Sequence, residues 1–452
     1  GAPDVLIKHC THILVGGAVR ELTREEASFL LAENDKMSDD ALRVLGFAYK
    51  PFNGIIEEDG LIFIGLCGMT DGLKAGVGKA VEECSTAGVA TVMITGDHVR
   101  TAFSIAKKLK IATDMSEVMT GDELDKLSGN ELDDAIDNCR VFARVSPKHK
   151  NIIVNSLKSR GKVIAMTGDG INDAPSIKSA DIGIAMGISG TDVTKSASDM
   201  VISDDNFTTI VSAVKEGRRI STNIKKTIQF FLSTNLAEVL AILIASLVLF
   251  KFDFLLSTQL LWLNLITDSF PVLALGMEKA DDDVMQRPPE RAERGLFSKT
   301  SLASILFFGL YMTAVTIGVF VVTLNICGNE TATTMTFMTI SFLELFQSFN
   351  IRSERQSAFK HFFSNKILLL TVAVGIILNV LLCVSPLSVA FGLQKLTAVQ
   401  WIAVFGLSFS VIPAGELYKL LLRTFTRRKP RYFKHISGST PKKHKKFALK
   451  SN

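Results

Sequence analysis

The sequence predicts an α/β domain built on a parallel sheet, joined to an all-α bundle of six membrane-spanning helices. Before about residue 215, short apolar runs rich in β-branched residues alternate with helical patterns, as in a parallel sheet covered on both faces. After that point long hydrophobic runs dominate, in a chain of 452 residues that is 47% apolar overall. Several runs contain carboxylates and amides, and an ionisable group at membrane depth usually marks an ion pathway or a proton relay.

The first half of the chain, which we call the head, is expected to alternate strands and helices. A small polar piece occupies 1–55, with a helix or strand around Arg43 to Tyr49, and the sheet lies within 56–215. Ligands of such sheets bind beyond the carboxyl ends of the strands. The expected strands are LIFIGLCGM, ATVMITGD, RVFARVS, KVIAMTGDG, DIGIAMG and DMVIS. The expected helices are near 73–87, from Val99 to Lys110 and from Pro147 to Arg160.

The second half is expected to form a stalk and a membrane domain over 216–425, followed by a basic tail over 426–452. A long charged helix from about Ser212 leads into the first span. The hydrophobic runs long enough to cross a bilayer are 230–250, 254–276, 301–327, 333–351, 367–390 and 398–422.

Lys and Arg residues are distributed unequally between the two sides of this predicted bundle. The loops 277–300 and 352–366 and the tail from 423 carry 5, 4 and 11 of them, whereas the opposite side has only Lys251 and Lys395. The positive-inside rule therefore places the head and the tail in the cytoplasm. The same distribution explains the net charge of +5 without nucleic-acid binding. For the tail, contact with anionic lipid is the simpler reading and a regulatory role is the alternative.

The six cysteines have no CxxC spacing, and four of them lie in the cytoplasmic head, where thiols stay reduced. Neither a disulfide framework nor a zinc site is therefore indicated.

Acidic turns follow two of the predicted strands. They are TGD, which is Thr95, Gly96 and Asp97, and TGDGIND, which runs from Thr167 to Asp173. Glycine lets a backbone approach a phosphate closely, and carboxylates just beyond a strand can hold Mg²⁺. Lys150, in SPKHK, has the charge needed to neutralise a phosphoryl oxygen. Each of these turns alone is more often a plain turn, but their combination with a membrane domain that contains acids favours phosphate chemistry.

Two long segments resemble the P-type cation-transporting ATPases, and within them the sarcoplasmic-reticulum-type calcium pumps most closely. The segments are MTGDGINDAPSIKSADIGIAMG and SDDNFTTIVSAVKEGRRISTNIKKTIQF, and the leading GAPD resembles the end of that family's KGAP motif. The resemblance extends from Gly1 to about Leu422. It implies a nucleotide-domain remnant over 1–55, a haloacid-dehalogenase-like phosphorylation domain over 56–215 and a six-helix membrane half.

The resemblance also implies roles for individual residues of the head, with ATP and Mg²⁺ as cofactors. Asp169 and Asp173 would hold Mg²⁺, and Asn172 would support the phosphoryl group. Lys150 would contact the phosphate, with Thr95 and Gly96 beside it. The residues implied on the nucleotide side are Asp97 and Arg144, with Arg43 reaching the nucleotide phosphates.

Several family motifs are missing from the sequence. It contains neither the DKTGT motif, which carries the phosphorylated aspartate, nor the TGE of the actuator domain. In TDGLKAG, Asp71 is kept but the prolines that relatives have there are not. The chain is therefore expected to be the C-terminal part of a longer pump, whose remainder is its partner and supplies the phosphorylated aspartate and four further spans.

The polar residues within the hydrophobic runs follow helical spacing. Asn264, Thr267 and Asp268 are related by i, i+3 and i+4, and Pro271 is expected to break or kink their helix and free carbonyl groups. A set of oxygen ligands without Cys or His suits a hard cation such as Ca²⁺. Hydrogen bonding between helices is the alternative for a single amide or hydroxyl, but not for three buried acids. The candidate Ca²⁺ ligands are Asn235, Glu238, Asn264, Thr267, Asp268 and Glu344.

Family patterns favour Ca²⁺ over other cations. Calcium pumps carry Asn at the position of Asn264, and Glu238 argues against the Golgi and plasma-membrane calcium-pump types. The ligand set leaves one or two Ca²⁺ per cycle open. The predicted location is a membrane crossed several times, with a bacterial-type plasma membrane favoured over the endoplasmic reticulum.

The expected function is ATP-driven export of Ca²⁺ from the cytoplasm through an aspartyl-phosphate intermediate. One alternative is a catalytically inactive membrane half that regulates a partner pump. Another is a phosphatase-like head fused to an unrelated membrane anchor, which the organised acids within the hydrophobic runs disfavour.

Overall fold

The computed structural model describes residues 1–425 except 53, 55–57, 71, 290–296, 354–355 and 361. Two earlier predictions, on Asp71 and on the basic tail over 426–452, therefore lie outside the described residues. The chain forms two compact units. The first comprises Gly1–Arg218 with Ala280–Glu290, and the second comprises Arg219–Lys279 with the described residues from 297 onward.

A mixed four-stranded sheet begins the first unit. Its strands are β1 (Cys10–Val15), β2 (Ala18–Glu21), β3 (Arg43–Tyr49) and β4 (Leu61–Met69), in the order β2-β1-β4-β3. Strand β4 runs parallel to β1 and antiparallel to β3. Two helices, α1 (Pro3–Leu6) and α2 (Arg24–Asp39), accompany this sheet.

The segment LIFIGLCGM was expected to belong to the parallel sheet of the following domain. It forms the predicted strand, β4, but β4 pairs with the strands of the preceding piece. An apolar run predicts a strand, whereas the pairing partner depends on distant backbone groups, so the sequence alone did not reveal it.

The remaining strands of the first unit form two separate parallel sheets. One sheet contains β5 (Met93–Ile94), β6 (Val118–Thr120) and β7 (Val141–Ala143), in the order β5-β7-β6. The other contains β8 (Ala165–Gly168), β9 (Ile182–Met186) and β10 (Met200–Ile202), in the order β10-β9-β8. The predicted parallel pairing is thus confirmed, and in the described chain the expected incomplete sheet appears as two separate parallel sheets.

Helices alternate with these strands, as the sequence predicted. Helix α7 (Pro147–Ser159) packs against both sheets, because Ile153 lies in the apolar cluster of Phe142, and Val154 lies in that of Met166. Ile94 of β5 contacts both clusters. The helices of this part are α3 (Val77–Thr86), α4 (Val99–Lys108), α5 (Gly121–Leu124), α6 (Gly129–Asn138), α7 (Pro147–Ser159), α8 (Ala174–Ser179) and α9 (Asp192–Ala197).

The second unit is helical, and its largest apolar core surrounds a central helix, α14 (Asn329–Ile351). Almost every α14 side chain is buried, including hydroxyl, amide and carboxyl groups. The other helices are α10 (Phe207–Val248), of which the residues from Arg219 belong to this unit, α11 (Ser257–Trp262), α12 (Ser269–Gly276), α13 (Lys299–Cys327), α15 (Lys366–Val384), α16 (Ala398–Phe409) and α17 (Val411–Phe425).

Within the described residues, four helical segments are long and apolar enough to cross a membrane: Phe207–Val248, Lys299–Cys327, Lys366–Val384 and Ala398–Thr424. The two other predicted spans are also helical. The run 333–351 lies in α14, which is rich in polar residues, and the run 254–276 is divided among shorter helical pieces. The count of six spans therefore stays a prediction.

The expected break at Pro271 does not occur there. The chain remains helical through Pro271 within α12, and the irregularity is a π-helix at Leu263–Thr267, between α11 and α12. The N–H of Asp268 donates to the carbonyl of Leu263 at 3.0 Å, which is the i to i−5 bond of a π-turn. The extra residue in this turn accommodates Pro271, which has no N–H to donate within the helix.

Candidate functional site

The turn after β8 brings the carboxylate of Asp173 next to the amine of Lys150. Nζ of Lys150, in the first turn of α7, donates to Oδ1 of Asp173 at 2.6 Å, and the N–H of Gly170 donates to Oδ2 at 3.3 Å. A Cβ on Gly168 would lie 2.7 Å from Cγ of Asp173, so only glycine fits at this approach. Both oxygens of the buried Asp173 carboxylate thus already have donors.

Asp169 and Asn172 lie on the exposed side of the same turn. The backbone of Asp169 is fixed, because its carbonyl accepts from the N–H of Thr191 at 3.0 Å and from Oγ1 of Thr194 at 3.1 Å. Its carboxylate is thereby held at the carboxyl end of β8 and remains accessible. This arrangement leaves the Asp169 carboxylate accessible to a cation. Asp173, the other expected Mg²⁺ ligand, is buried and bonded to Lys150, and its role as a metal ligand stays a prediction.

The TGD turn lies at the carboxyl end of β5. Oγ1 of Thr95 donates to Oδ2 of Asp97 at 2.9 Å and accepts from the N–H of Asp97 at 3.1 Å. Gly96, between them, is exposed, and a Cβ there would meet nothing within 4 Å. The turn is thus closed on itself and presents its backbone to solvent.

The three residues expected on the nucleotide side lie close to one another. Nε of Arg43 is 4.0 Å from Oδ1 of Asp97, and the N–H of Arg144 donates to the carbonyl of Asp97 at 3.2 Å. Arg144 has a positive φ of 52°, a strained backbone conformation that is often found at functional sites. Nη2 of Arg144 also donates to Oδ2 of Asp4 at 2.7 Å. Burial of Asp4 raises its pKa, but the hydrogen bond and charge of Arg144 outweigh this and lower the pKa below its ordinary value.

Acids lie in the core of the second unit, on three different helical segments. Glu238 of α10, Asp268 at the end of the π-helix and Glu344 of α14 are 4%, 0% and 0% exposed. The three carboxylates interact electrostatically with one another. Like charges at this depth repel, so they require a cation or protons to be stable.

Hydrogen bonds satisfy only part of this cluster. Nδ2 of Asn264 donates to Oε2 of Glu238 at 3.2 Å, and Oγ1 of Thr234 donates to Oδ2 of Asp268 at 3.0 Å. The amide of Asn235 donates to its own helix, to the carbonyl of Phe231 at 2.8 Å. The buried oxygens that have no hydrogen-bond partner are Oε1 of Glu238, Oγ1 of Thr267, Oδ1 of Asp268 and both carboxylate oxygens of Glu344.

Thr234 was not among the predicted residues. It lies four positions before Glu238 on α10, which is the spacing that identified the other candidates, so this signal was present. A hydroxyl is common in helices and carries no charge, which is why spacing alone did not single it out. Its bond to Asp268 connects α10 to the π-helix.

In the part of the chain that the structure describes, no three Cys, His, Asp or Glu side chains are close enough together to hold a metal ion. The oxygens of the second unit are therefore not arranged as a complete cage of carboxylates. Any cation there would also require amide, hydroxyl or backbone oxygens, and small movements of the acids.

Two family models match the chain. Residues 252–421 match "Cation transporting ATPase, C-terminus", and residues 1–76 match "P-type ATPase, cytoplasmic domain N". The chain is also 43% identical to calcium-transporting ATPase 1 of Bacillus cereus over 444 residues, which is 93% of this chain and 50% of that protein. The chain belongs to the P-type cation-transporting ATPases.

Other members of the P-type ATPase family show similar coverage. Identity is 39% to the calcium-transporting ATPase of Bacillus subtilis, over 95% of this chain and 48% of that protein. It is 35% to the human calcium-transporting ATPase type 2C member 1, over 97% of this chain and 47% of that protein. The chain thus spans about half the length of these relatives.

A buried ion pair fixes the end of the helix that carries Asp268 in this P-type ATPase chain. Nη2 and Nε of Arg352 donate to the two oxygens of Glu278 at 3.0 and 3.1 Å, and both side chains are 8% exposed. Nδ2 of Asn365 donates to Glu278 at 2.8 Å, and Nδ2 of Asn223 donates to the Glu278 carbonyl at 2.7 Å. Glu278 thus connects the residues after α12 to α10, to the end of α14 and to the start of α15.

Glu278→Ala is expected to destabilise the second unit by about 3–5 kcal/mol, because it leaves the buried Arg352 without its carboxylate. Thermal unfolding of the membrane-embedded protein would measure this loss. Glu330→Ala, at an exposed glutamate of α14, is the matched control and should have a small effect. Equal unfolding temperatures for both variants would contradict the structural importance of the Glu278 pair.

Proposed function

We propose that this chain is the C-terminal part of a pump that exports Ca²⁺ from the cytoplasm and is driven by ATP through an aspartyl-phosphate intermediate. The observation that carries the proposal is the buried group of unpartnered oxygens on Glu238, Thr267, Asp268 and Glu344. Leaving such oxygens unpaired costs several kcal/mol in total, so a bound cation or protons must satisfy them during function. A purely structural acid would have a donor instead.

Ca²⁺ is the cation that best suits these donors. They are carboxylate, amide and hydroxyl oxygens without sulfur or imidazole, which is the set that hard cations prefer. Asn235 and Asn264 supply the amide oxygens beside the acids. The names of the relatives, which are calcium-transporting ATPases, agree with this choice. We propose two Ca²⁺ per cycle if the upstream spans bring a further acid, and one if they do not.

In the head, we propose that phosphoryl transfer takes place at the carboxyl ends of β5 and β8. Lys150 neutralises a phosphoryl oxygen, and its bond to Asp173 holds its amine in place. Asp169 and Asp173 would hold Mg²⁺, which supplies charge neutralisation on the phosphoryl group when bound. Thr95 and the backbone of Gly96 contact the phosphoryl oxygens, and Asn172 supports them from the β8 side.

The nucleotide is proposed to bind where Arg43, Asp97 and Arg144 meet. Two guanidinium groups beside one carboxylate suit a triphosphate with an attached ribose, because arginine pairs with phosphate in a forked geometry. Arg43 is exposed, so it is accessible to a ligand.

The two parallel sheets support a haloacid-dehalogenase-like domain completed by the remainder of the pump. β5 and β8 are edge strands of their sheets, and Ile94 packs against the apolar clusters on both sides. One further parallel strand between them would join the sheets and place its carboxyl end beside Thr95 and Asp169. We propose that the upstream part of the pump supplies this strand together with the phosphorylated aspartate.

The membrane arrangement that fits this function has six spans, with the head and the tail in the cytoplasm. The Lys and Arg distribution supports this orientation. A bacterial-type plasma membrane is the proposed location, in keeping with the relatives from two Bacillus species.

Glu344→Gln in the full-length pump is expected to weaken Ca²⁺ activation of ATP hydrolysis at least tenfold, or by about 1.4 kcal/mol. The change removes one charge from the fully buried cluster and keeps the size of the side chain. Phosphorylation by inorganic phosphate should remain, because the head is unaltered. Both quantities are measured as a function of free Ca²⁺.

Glu330→Gln, on an exposed position of the same helix, is the control for this test and should leave the Ca²⁺ dependence unchanged. An unchanged Ca²⁺ dependence in Glu344→Gln would instead make Glu344 a packing or proton-handling residue. ATP hydrolysis by the unsubstituted protein that is indifferent to Ca²⁺ would rule out the calcium pump itself.

A further inference from the structure

A buried histidine holds the start of helix α7, directly before the lysine that is proposed to neutralise the phosphoryl group. His149 is 7% exposed, and both of its ring nitrogens are hydrogen-bonded. Nδ1 accepts from the N–H of Ser146 at 3.1 Å, and Nε2 donates to Oδ1 of Asp125, the residue after α5, at 3.1 Å. Because Nδ1 accepts from a backbone N–H, the ring proton is on Nε2, and Asp125 stabilises this neutral tautomer.

The first turn of α7 depends on this histidine. Pro147 has no N–H to donate. The N–H of Lys150 reaches the carbonyl of Ser146 only at 3.3 Å, which is slightly beyond the usual range of about 2.7–3.2 Å. The bond from Ser146 to His149 therefore closes the turn. It ties the backbone before the proline to the residue next to Lys150, whose amine is bonded to Asp173.

The same histidine also packs against the segment that leads to the nucleotide side. A Cβ on Gly121, the first residue of α5, would lie 2.7 Å from Nδ1 of His149 and 2.7 Å from the carbonyl oxygen of Arg144, so only glycine fits between them. The N–H of Arg144 donates to the carbonyl of Asp97 in the TGD turn. The segment from Arg144 to Lys150 is thus held by the TGD turn on one side and by α5 and His149 on the other.

Histidine is not the usual residue for this position of a helix. The third helical residue that accepts from the N–H before a helix is usually glutamate or glutamine, and Glu26 of α2 and Glu123 of α5 have this role in the described chain. At position 149 a glutamate would place a second carboxylate beside Lys150, where it would attract the amine and repel a phosphoryl group. The neutral imidazole accepts the same hydrogen bond without that charge. The residue type therefore fits the phosphoryl site, not helix capping alone.

These contacts do not depend on parts of the pump outside this chain. His149 is buried by residues that the structure describes, and the donors and acceptors of both ring nitrogens lie within 125–149. Residues of the upstream part can cover this region further, but they are not needed to form it.

We propose that His149, held by Asp125, is a positioning residue that directs Lys150 towards the phosphoryl group. The inference rests on the proposed function, because it concerns the aspartyl-phosphate chemistry of the head. His149 itself contacts neither the nucleotide nor the metal. It fixes the backbone at the start of α7, so the Lys150 amine is already in place when charge develops on the phosphoryl oxygens.

The test measures the single-turnover rate of phosphoenzyme formation from labelled ATP by the full-length pump at saturating Mg²⁺ and Ca²⁺. His149→Phe fills the space of the ring and removes both hydrogen bonds. It is expected to lower the rate at least about tenfold and to change the half-saturating ATP concentration less than about threefold. His149→Gln, whose amide oxygen can accept from the N–H of Ser146, should be at least about threefold faster than His149→Phe. A packing role predicts the reverse order, because phenylalanine fills the space better.

Two further variants separate positioning from folding. Asp125→Ala should lower the rate about threefold, and its side chain is 57% exposed, so the test survives if His149→Phe does not fold. Glu26→Ala is the matched control, because it removes the bond from the N–H of Thr23 at the start of α2 and should leave the rate unchanged.

Lys150→Arg tests whether the histidine acts through the lysine. Arginine keeps the charge but places it differently, so in this background His149→Phe should cost less than about threefold. Equal losses in both backgrounds, a full rate in His149→Phe, or equal rates in His149→Phe and His149→Gln would overturn the proposal. An unsubstituted pump that forms no Ca²⁺-dependent phosphoenzyme would instead overturn the proposed function, and this inference with it.

Discussion

Asp268→Asn in the full-length pump is expected to abolish Ca²⁺ activation of ATP hydrolysis, the largest effect of any single change in the second unit. Asp268 is fully buried, one of its oxygens has no hydrogen-bond partner, and its charge interacts with Glu238 and Glu344. The asparagine keeps the size of the side chain and its oxygen can still accept from Thr234. The substitution therefore removes a charge with little change in packing.

The loss should be confined to cation binding. Phosphorylation by inorganic phosphate, which takes place in the head and the upstream part of the pump, is expected to persist in Asp268→Asn and to become insensitive to Ca²⁺. Asp253→Asn is the matched control, because the side chain of Asp253 is exposed in the same unit. Near-normal Ca²⁺ activation in Asp268→Asn would remove Asp268 from the cation site.

Thr234 provides a graded comparison for the same site. Thr234→Val removes the hydroxyl that donates to Oδ2 of Asp268 and leaves all three carboxylates in place. Its effect on Ca²⁺ affinity should therefore be smaller than that of Asp268→Asn, at roughly 1–3 kcal/mol for one lost hydrogen bond to a buried charged group. If the two variants were equally inactive, packing of α10 against the π-helix, rather than charge, would control the site.

The residues of this cluster could be predicted from the sequence, but their local backbone could not. Asn264, Thr267 and Asp268 share a helical face at either 3.6 residues per turn or in a slightly wider turn, so the pattern identifies the residues in both cases. The π-helix has one extra residue in its turn, and the residue types of this segment do not reveal it. Pro271 did signal an irregularity, but the strain is relieved one turn before the proline, where the extra residue is inserted.

In the head, local signals predicted most strands after residue 60, but they missed β1, β2, β6 and several helices as well as the assembly of the strands. β-Branched runs and the N-terminal Pro147 gave the strands and α7 to within a few residues. Pairing of β4 with β1 and β3 involves residues up to about fifty positions away, and no short window of sequence contains that information. The parallel strands form two sheets because no strand of the described chain lies between β5 and β8. The sequences of β5 and β8 themselves do not show whether such a strand is present.

The central helix α14 has a low hydropathy for a physical reason. α14 is the most buried helix of this unit, yet its threonines, serines and Glu344 lower its hydropathy below that of the lipid-facing helices. A central helix contacts other helices instead of lipid, so its polar groups can form hydrogen bonds there, and the rule that membrane helices are apolar applies mainly to lipid-facing surfaces. The sequence predicted a span here from the hydrophobic run 333–351, although α14 is not among the four described helices that are apolar enough to cross a membrane.

Asp169→Asn is expected to abolish formation of the phosphoenzyme from ATP, with a loss of at least about a hundredfold. The carboxylate of Asp169 is exposed at the end of β8, whereas its backbone carbonyl is held by Thr191 and Thr194, so the substitution changes charge at a fixed position. Asp173 keeps its charge in this variant, but it is buried and already accepts from Lys150 and Gly170, so it is not expected to replace the missing ligand. Acid-stable phosphoenzyme, measured with labelled ATP at saturating Mg²⁺ and Ca²⁺, gives the readout.

Two further measurements make this result specific to metal binding. Asp122→Asn, at an exposed aspartate of α5 in the same unit, should leave the phosphoenzyme level unchanged. Equilibrium Ca²⁺ binding should also be retained in Asp169→Asn, because the buried carboxylates of the second unit are intact.

A phosphoenzyme level equal to that of the unsubstituted pump would show that Asp169 is not a metal ligand. Loss of Ca²⁺ binding together with phosphorylation would instead indicate that the variant is misfolded, and Asp169→Glu, which keeps the charge, would then separate folding from metal binding by restoring part of the phosphoenzyme.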